Sequence, residues 1–248
     1  MYYGLSVIRM QFEEGERMKI GLFSDSHYSS AEVTCQRRFN NQSLRKIKEA
    51  MAAFQDCDLV ITLGDLTDVE HNREKEESNL RQVACALNES RMECICLMGN
   101  HDAYAYTEDE FYGMLGEKRR PRLISRNGIH LLFLDACYFS SGEHYSPGHV
   151  IWTDTFYPHV QQLKETLAGL EGNVYVFMHQ NIDPGVREDH MLSNAAEIRK
   201  VLEESGKVKA VYQGHYHWGH QNTVKGIKYI TLPAMCENEQ AYWVEELK

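Results

Sequence analysis

Seven side chains with metal-binding chemistry follow short apolar runs in this chain. They fall in five motifs, Ser24-Asp-Ser-His27, Gly64-Asp65, Gly99-Asn-His-Asp102, a separate His179, and Gly214-His-Tyr-His217. The candidate ligands are Asp25, His27, Asp65, Asn100, His179, His215 and His217. Carboxylate, imidazole and amide oxygen are ligands that borderline divalent metals such as Mn, Fe and Zn accept. Seven ligands exceed the needs of one tetrahedral ion, so the set predicts two adjacent cations that share a carboxylate.

The first three motifs follow segments that have the pattern of buried strands. Residues 19–24, 58–63 and 92–98 are short apolar runs, and helical patterns separate them. The first helical pattern places Leu44, Ile47, Met51 and Phe54 on one face. Alternating strands and helices predict a parallel sheet, whose carboxyl edge is the usual place for a ligand. The pairs Asp25/His27 and His215/His217 would each share a side if their backbone were extended.

The second half of the chain continues this pattern less regularly. Strands are predicted over residues 129–135, 173–178 and 208–213, the last two ending at His179 and Gly214. Residues 227–232 and 241–247 are predicted as closing antiparallel strands. Without a Pro/Gly/Ser-rich linker or a repeat, residues 18–248 are predicted to form one domain. Residues 1–17 lack the pattern and contain the acidic stretch Glu13-Glu-Gly-Glu16, so Met18 is hypothesised to be the biological start.

Composition limits the classes of function. The 248 residues are 43% apolar and 25% charged, which is typical of one globular domain. A net charge of −10 lacks the basic footprint expected for binding duplex nucleic acid. The sequence has no apolar run near the roughly 18 residues of a membrane span, and no secretory pattern. Its seven cysteines include no CxxC pair, so reduced thiols and a cytoplasmic location are predicted.

The order of the five motifs, over residues 18 to about 232, resembles the calcineurin-like metallophosphoesterase superfamily. The resemblance implies an α/β fold, a two-sheet β-sandwich of mixed sheets flanked by helices. It implies one ion held by Asp25, His27, Asp65 and His217, and a second held by Asp65, Asn100, His179 and His215, with Asp65 bridging. Two such cations lower the pKa of a shared water towards ~7, which supplies a hydroxide nucleophile, and neutralise the phosphoryl oxygens.

A general acid and its orienting carboxylate are also expected from the resemblance. His101 follows the ligand Asn100 and is expected near the leaving-group oxygen, where an imidazole donates a proton at neutral pH. Related phosphatases orient this histidine with an acid in the third position after the Gly-Asp ligand, here Asp68, which would raise the imidazole pKa. An ordinary helix N-cap is the alternative for Asp68. Asp102 is expected to fix the backbone rather than bind metal.

Departures from the subclasses of the superfamily narrow the substrate. Val69 stands where protein serine/threonine phosphatases carry an arginine, and Asp68 where purple acid phosphatases have a tyrosine ligand. The pattern is similar to bacterial cyclic-nucleotide phosphodiesterases and ADP-ribose diphosphatase-like members, which implies a small phosphoester or nucleotide substrate. The candidate substrate-binding aromatics are Tyr28, Tyr104, Tyr138 and Trp152, with packing of their own loops as the alternative. A generic phosphomonoesterase, a nuclease and a non-catalytic metal-binding scaffold remain alternatives, and a homo-oligomer is left open.

Overall fold

In the computed structural model, residues 17–31, 37–90 and 92–248 are described. The hypothesis that Met18 is the biological start falls on the segment before residue 17, which lies outside the described residues, so it stays a hypothesis. From Met18 onward the chain alternates strands and helices as its apolar pattern predicts.

The first sheet has four strands in the order β10, β1, β2, β3. The strands β1 (Met18–Phe23), β2 (Leu59–Thr62) and β3 (Cys94–Cys96) run parallel. The strand β10 (Tyr242–Leu247) pairs antiparallel with β1, which confirms the orientation predicted for residues 241–247. All four residues of β2 are buried, because helices cover one face of this sheet and the second sheet covers the other.

Four helices precede or follow the strands of the first sheet: α1 (Ser43–Ala53), α2 (Arg73–Asn88), α3 (Asn100–Ala105) and α4 (Glu108–Leu115). The predicted apolar face of α1 is confirmed, since Ile47, Met51 and the following Phe54 are buried. The Phe54 ring lies against Gly21 of β1, where a Cβ would come within 2.5 Å of Phe54 Cγ. A glycine at this position therefore lets the helix approach the sheet closely.

The second sheet has six strands in the order β4, β5, β6, β7, β9, β8. These are β4 (Ile124–Arg126), β5 (Ile129–Leu134), β6 (Asn173–Met178), β7 (Val208–Gln213), β8 (His220–Val224) and β9 (Ile227–Thr231). The four central strands β5, β6, β7 and β9 are parallel, and β4 and β8 are antiparallel edges. The helices α5 (Val160–Gly169) and α6 (Ala195–Ser205) cover its outer face.

The antiparallel orientation predicted for residues 227–232 is confirmed for the pairing of β9 with β8, whereas its pairing with β7 is parallel. After β7 the chain first forms β8 at the outer edge of the sheet, and then returns to form β9 between β8 and β7. A two-residue turn, Lys225 (φ 49°) and Gly226 (φ 83°), then returns the chain between β8 and β7. Because β8 is inserted, residues 227–232 run opposite to the direction that they would have had if a simple hairpin joined them to β7.

The two sheets pack face to face over a core that includes Ile20, Leu22, Ile61, Phe177 and Tyr212. The predicted two-sheet sandwich of mixed sheets flanked by helices is confirmed. Among the described cysteines, none of which is in a disulfide, five are buried and Cys85 is exposed. Within the residues described, no helix is both long and apolar enough to cross a bilayer. The loops that follow β1, β2, β3, β6 and β7 meet at one edge of the sandwich.

Candidate functional site

The five motifs converge at the carboxyl edge through hydrogen bonds between their loops. Asp25 N donates to the Gly64 carbonyl oxygen at 3.1 Å, and His27 N donates to the Asp65 carbonyl oxygen at 2.8 Å. Gly214 N donates to the carbonyl oxygen of His179 at 2.9 Å, which connects the loops of the second sheet. The loops after β1 and β2, and those after β6 and β7, therefore hold one another in register.

The first cluster of donor atoms contains Asp25, His27, Asp65 and His217. The Nε2 atoms of His27 and His217 lie 3.2 Å apart. Asp25 Oδ1 is 3.8 Å from His27 Nε2 and 3.6 Å from His217 Nε2, and Asp65 Oδ2 is 3.4 Å from His27 Nε2. Two carboxylates and two imidazoles thus face one small volume at distances that one cation would span.

The second cluster contains Asp65 again, with Asn100, His179 and His215. His179 Nε2 lies 3.3 Å from Asp65 Oδ2 and 3.2 Å from Asn100 Oδ1, and the ring of His215 is 5.2 Å from the ring of His179. The Nε2 atom of His215 is buried, and within the described part of the chain it has no hydrogen-bond partner. A buried imidazole nitrogen without a partner, aimed at carboxylate and imidazole donors, fits a metal ligand.

The structure thus brings all seven candidate ligands together, in two clusters that share Asp65. One carboxylate or imidazole atom from each of Asp25, His27 and Asp65 lies within 4.8 Å of the others, and the same holds for Asp65, His179 and His215. The arrangement is compatible with a dinuclear divalent metal site. Manganese, iron and zinc all accept these donor types.

Four of the seven candidate ligands have a left-handed backbone. The φ angles of Asp25, His27, Asp65 and His215 are 52°, 41°, 50° and 65°. The extended backbone considered for the pairs Asp25/His27 and His215/His217 is therefore wrong. Left-handed backbone is uncommon outside glycine and collects at functional sites, where surrounding contacts stabilise it. The curved backbone of these loops, rather than the side-chain alternation of an extended strand, directs both side chains of each pair towards the donor clusters.

The glycines before Asn100 and His215 leave room for ligand side chains. A Cβ at Gly99 would lie 2.1 Å from Asp65 Oδ1, and a Cβ at Gly214 would lie 2.7 Å from Asp25 Oδ2. Each distance is far shorter than an ordinary nonbonded contact of about 3.5 Å. The Gly-Asn and Gly-His dipeptides therefore have a steric origin, since only a bare Cα fits against the carboxylates. At Gly64, of the Gly-Asp dipeptide, the close side chain is instead that of His179, whose Nδ1 would lie 2.7 Å from a Cβ.

Hydrogen bonds from outside the two clusters orient the imidazoles. His179 Nδ1 donates to the Leu63 carbonyl oxygen at 2.7 Å, and His217 Nδ1 donates to Glu237 Oε1 at 2.7 Å. These bonds engage the Nδ1 atoms and direct the Nε2 atoms to the clusters, as is usual for metal-binding histidines. Glu237 was not found from the sequence, because it lies before β10 in a loop without a recognisable motif.

His101 lies beside the clusters and pairs with Asp68 as predicted from the resemblance. Its Nδ1 is 2.7 Å from Asp68 Oδ1, and its backbone N donates to Asp65 Oδ1 at 2.8 Å. The buried Asn40 donates through Nδ2 to Asp68 Oδ2 at 2.7 Å, which fixes the second carboxylate oxygen. The helix N-cap alternative for Asp68 is wrong, because α2 is capped by Asn72, whose side chain accepts from Lys75 N.

Charges within the site have opposite effects on its acids and bases. Burial opposes ionisation of Asp65, but electrostatic interactions with neighbouring imidazoles, chiefly those of His179 and His101, hold the pKa of this carboxyl well below its usual range. Burial similarly opposes ionisation of Asp68, yet hydrogen bonds from His101 and His27 lower its pKa. Burial also lowers the pKa of His101, but Asp65 and the bond to Asp68 outweigh it and raise the pKa overall. These shifts favour the protonated form of His101 and the ionised form of Asp68.

Two of the candidate ligand histidines are held neutral. Burial is the main cause that lowers the pKa of His27, with Arg38 and His101 adding to it. Burial followed by the charge of His179 lowers the pKa of His215 well below its usual value. The neutral imidazole is the form that binds a metal ion.

Asp102 binds the backbone, as expected from the sequence. Its carboxylate accepts hydrogen bonds from the backbone N–H groups of Leu66, Thr67 and Gly99 at 3.0–3.2 Å. Burial and then the charge of Asp65 raise the pKa of this carboxyl to about 7. The residue thereby joins the loop after β2 to the start of α3.

A cavity of about 510 Å³ opens over the two clusters, a size typical of small-molecule sites. Its lining residues are Arg37, Arg38, Asp65, Asn100, His101, Trp152, His190, His215, His217, Trp218 and Glu237. Of the four aromatic residues predicted to bind substrate, Trp152 is in this lining. Tyr28 and Tyr104 are not among the lining residues. The Tyr28 hydroxyl instead donates to Gln82 Oε1 at 3.0 Å. Tyr104 packs against His71.

The third tyrosine, Tyr138, contacts the rings of His144 and His159 and is not among the residues that line the cavity. The cavity residues that sequence reasoning did not assign are Arg37, Arg38, His190, Trp218 and Glu237. In the sequence, only the residue types of His190 and Trp218, an imidazole and an indole, indicated that they could belong to the site.

Comparisons with known proteins agree with this geometry. The profile of the family described as Calcineurin-like phosphoesterase matches residues 18–219. A "Probable cyclic nucleotide phosphodiesterase" of Psychrobacter arcticus is 25% identical over 225 residues, covering 86% of this chain and 74% of the relative. A protein of the same description from Pseudoalteromonas sp. is 23% identical over 205 residues, covering 79% and 71%. A solved structure described as a dimetal phosphatase from Danio rerio superposes with a TM-score of 0.81 at 18% identity, covering 93% and 92% of the two chains.

Proposed function

Because this chain belongs to the calcineurin-like phosphoesterase family and is a metal-dependent phosphoesterase, we propose that it hydrolyses phosphodiester or diphosphate bonds of small nucleotide-like substrates. The observation that carries the proposal is the pair of donor clusters sharing Asp65, with His101 beside them in a substrate-sized cavity. The names of the two curated relatives, both cyclic nucleotide phosphodiesterases, support a nucleotide-like substrate.

The proposed ligand sets are supported by which side chains face each other in the two clusters. Asp25, His27, Asp65 and His217 would hold one cation, and Asp65, Asn100, His179 and His215 the other. Two such cations, when bound, would activate a water for attack on phosphorus and neutralise the phosphoryl oxygens.

His101 is proposed as the general acid. Asp68 accepts from Nδ1 and fixes the tautomer, so Nε2 is the nitrogen that serves the cavity. The leaving alkoxide of a ribose ester is strongly basic, and a proton donated by His101 as the P–O bond breaks would stabilise it. Asn40 donates to Asp68 Oδ2, and Arg38 donates at 3.4 Å to Oδ1, the oxygen that also pairs with His101, so the orienting carboxylate is held in one direction.

Hydrolysis of phosphomonoesters is the second candidate, and the two cavity arginines are the observation that favours it. Arg37 and Arg38 add positive charge to one wall of the cavity. A guanidinium suits the extra phosphoryl charge of a diphosphate or of a dianionic monoester better than the single charge of a diester. The substrate panel described next separates these three bond types.

The test is a panel of four substrates in the presence of Mn²⁺: bis-p-nitrophenyl phosphate, p-nitrophenyl phosphate, cyclic AMP and ADP-ribose. Wild type is expected to hydrolyse the diesters or the diphosphate faster than the monoester. His101→Ala is expected to lower the rate on cyclic AMP and ADP-ribose by roughly 10²–10⁴, the range for loss of a general acid. The loss should be smaller with p-nitrophenol, a good leaving group that needs little protonation.

His159→Ala provides the matched control, because it removes an exposed histidine at the start of α5 that does not line the cavity. Its rates should equal those of wild type. An equal loss with both leaving groups in His101→Ala would contradict the acid role. Absence of Mn²⁺-dependent hydrolysis of all four substrates by wild type would contradict the proposed function as a whole.

A further inference from the structure

One wall of the cavity is aromatic, and neither the metal-ligand motifs nor the proposed general acid accounts for it. Trp152 and Trp218 are 46% and 56% exposed, and both line the cavity. The His190 ring lies between them, with ring centroids 5.3 Å from Trp152 and 6.0 Å from Trp218. Indole rings usually contribute large buried areas, so two exposed tryptophans on one cavity wall indicate a surface kept open for a ligand.

This aromatic wall, defined as Trp152, His190 and Trp218, is assembled from three separate loops. Trp152 comes from the loop between β5 and α5, His190 from a single 3₁₀ turn between β6 and α6, and Trp218 from the loop after β7. Tyr216 packs against both His190 (5.2 Å) and Trp218 (5.0 Å) and supports them. Asp189 Oδ1, 2.8 Å from His190 Nδ1, fixes the imidazole. The wall is therefore built by tertiary structure rather than by a local run of aromatic residues.

The aromatic wall is adjacent to the second donor cluster. The rings of His190 and Trp152 lie 5.7 Å and 6.3 Å from the ring of the candidate ligand His215. The arginines Arg37 and Arg38 and the proposed acid His101 also line this cavity. A ligand with its phosphate at the clusters would thus meet flat aromatic surfaces about one sugar away from phosphorus.

We propose that the aromatic wall is a subsite for the base of the substrate, in which Trp152 and Trp218 stack on the planar ring and His190 forms the floor. The inference rests on the proposed function and narrows its substrates to those that carry a nucleobase one sugar from the scissile phosphate. Stacking suits this wall because every base presents a π face to an aromatic side chain, and a methyl substituent has none. Trp152 and Trp218 are then specificity-determining residues.

The test compares two diesters with the same leaving group, thymidine 5′-(p-nitrophenyl phosphate) and methyl p-nitrophenyl phosphate, on the Mn²⁺-loaded protein. Wild type is expected to prefer the nucleoside ester in kcat/KM. Trp152→Leu and Trp218→Leu are expected to lower the ratio of the two kcat/KM values by roughly 5- to 150-fold each, the range for losing one stacked base contact. Trp218→Phe, which keeps a π face, should retain most of the ratio. Val244→Ser, an exposed apolar residue of β10, is the control and should not change it.

A fluorescence titration gives a readout that does not depend on turnover. The chain has three tryptophans, and the third, Trp243, lies in β10 outside the cavity lining. Thymidine 5′-monophosphate should quench the intrinsic tryptophan emission of the Mn²⁺-loaded protein, and ribose 5-phosphate should not. The quenching should disappear when Trp152→Phe and Trp218→Phe are combined.

The outcomes separate the two proposals. Hydrolysis by wild type of neither ester and of none of the four panel substrates would overturn the proposed function, and the fluorescence titration would still decide whether a base binds. Hydrolysis of both esters with an unchanged ratio in the two leucine variants would overturn the subsite alone. Equal quenching by the nucleotide and the sugar phosphate would also overturn it.

Discussion

The substitution Gly99→Ala tests whether close packing of backbone against ligands maintains the site. The added methyl carbon would lie 2.1 Å from Asp65 Oδ1 and 2.5 Å from the backbone N of Asp65. An ordinary nonbonded contact is about 3.5 Å, so the shortfall at Oδ1 is roughly 1.4 Å. Rotation of the Asp65 side chain cannot relieve the contact with its backbone nitrogen. Either the shared carboxylate or the start of α3, which carries His101, must therefore move by about 1 Å.

A displacement of this size has effects on both activity and stability. Misplacing catalytic groups by about 1 Å typically lowers the rate about 10²-fold, so kcat/KM for bis-p-nitrophenyl phosphate should fall by about that factor. Overpacking a close-packed site typically costs about 1–3 kcal/mol of the free energy of unfolding. The metal content of purified Gly99→Ala, measured by elemental analysis, should fall below that of wild type because Asp65 belongs to both donor clusters.

Gly113→Ala makes the same chemical change at a permissive position and is the control. Gly113 lies inside α4, and a Cβ there meets no atom within 4 Å. Alanine at an exposed helical position should stabilise the chain by up to about 1 kcal/mol and leave metal content and kcat/KM unchanged. If Gly99→Ala kept wild-type metal content and kcat/KM, the steric account of the motif glycines would be refuted.

Three further outcomes are expected. Glu237→Gln should weaken Mn²⁺ binding about 10- to 100-fold in a competition titration with a chelator, because Glu237 orients His217; unchanged affinity would contradict that role. Mn²⁺ at about 100 times its dissociation constant should stabilise the metal-free protein by about 2.7 kcal/mol, raising Tm by about 5–11 °C, and Asp25→Asn should reduce this shift. For His144, burial lowers the pKa, but the hydrogen bond to Asp135 outweighs burial and raises the pKa overall. The pair therefore stabilises the fold below pH ~6.5, and this stabilisation is lost as the pH rises through the raised pKa. His144→Gln should therefore reduce the free energy of unfolding in acidic but not in alkaline buffer, by at most about 1 kcal/mol for this partly exposed pair; a pH-independent difference would contradict the linkage.

Most buried strands could be predicted from the sequence to within one residue at each end, whereas β3 is shorter than the predicted residues 92–98 and the edge strands β4 and β8 were missed. Residues 173–178 and 208–213 match β6 and β7 because each is an apolar run that ends at a polar site residue. The strand β8 (His220–Val224) was missed because it is half-exposed and mostly polar. Its pairing depends on the turn at Lys225 and Gly226, and that turn also determined the direction of β9. The edge of the sheet is therefore set by turn geometry rather than by hydrophobic pattern.

The residues of the site likewise divide into those that could be predicted from the sequence and those that could not. Ligands next to a strand end carry a local signal, a polar residue after an apolar run, with a preceding glycine at Asp65, Asn100 and His215. All seven candidate ligands converge in the fold. The residues that support them lie far along the chain from their partners. Asn40 bonds Asp68 across 28 positions, and Glu237 bonds His217 across 20. Such pairs have no spacing to recognise, because tertiary structure alone makes them neighbours.

The left-handed backbone of four candidate ligands further indicates that the two donor clusters are one mechanical unit. A left-handed conformation costs a residue with a side chain about 1–2 kcal/mol, so neighbouring contacts must offset it at each position. The offsetting bonds run between loops: Asp25 N to Gly64, His27 N to Asp65, and His215 N to the Asp25 carboxylate at 3.1 Å. Each loop thus maintains the strained backbone of the next, and the Asp25 side chain supports a ligand of the other cluster. Loss of a ligand from one loop should therefore lower metal occupancy at both clusters, rather than empty one and leave its neighbour intact.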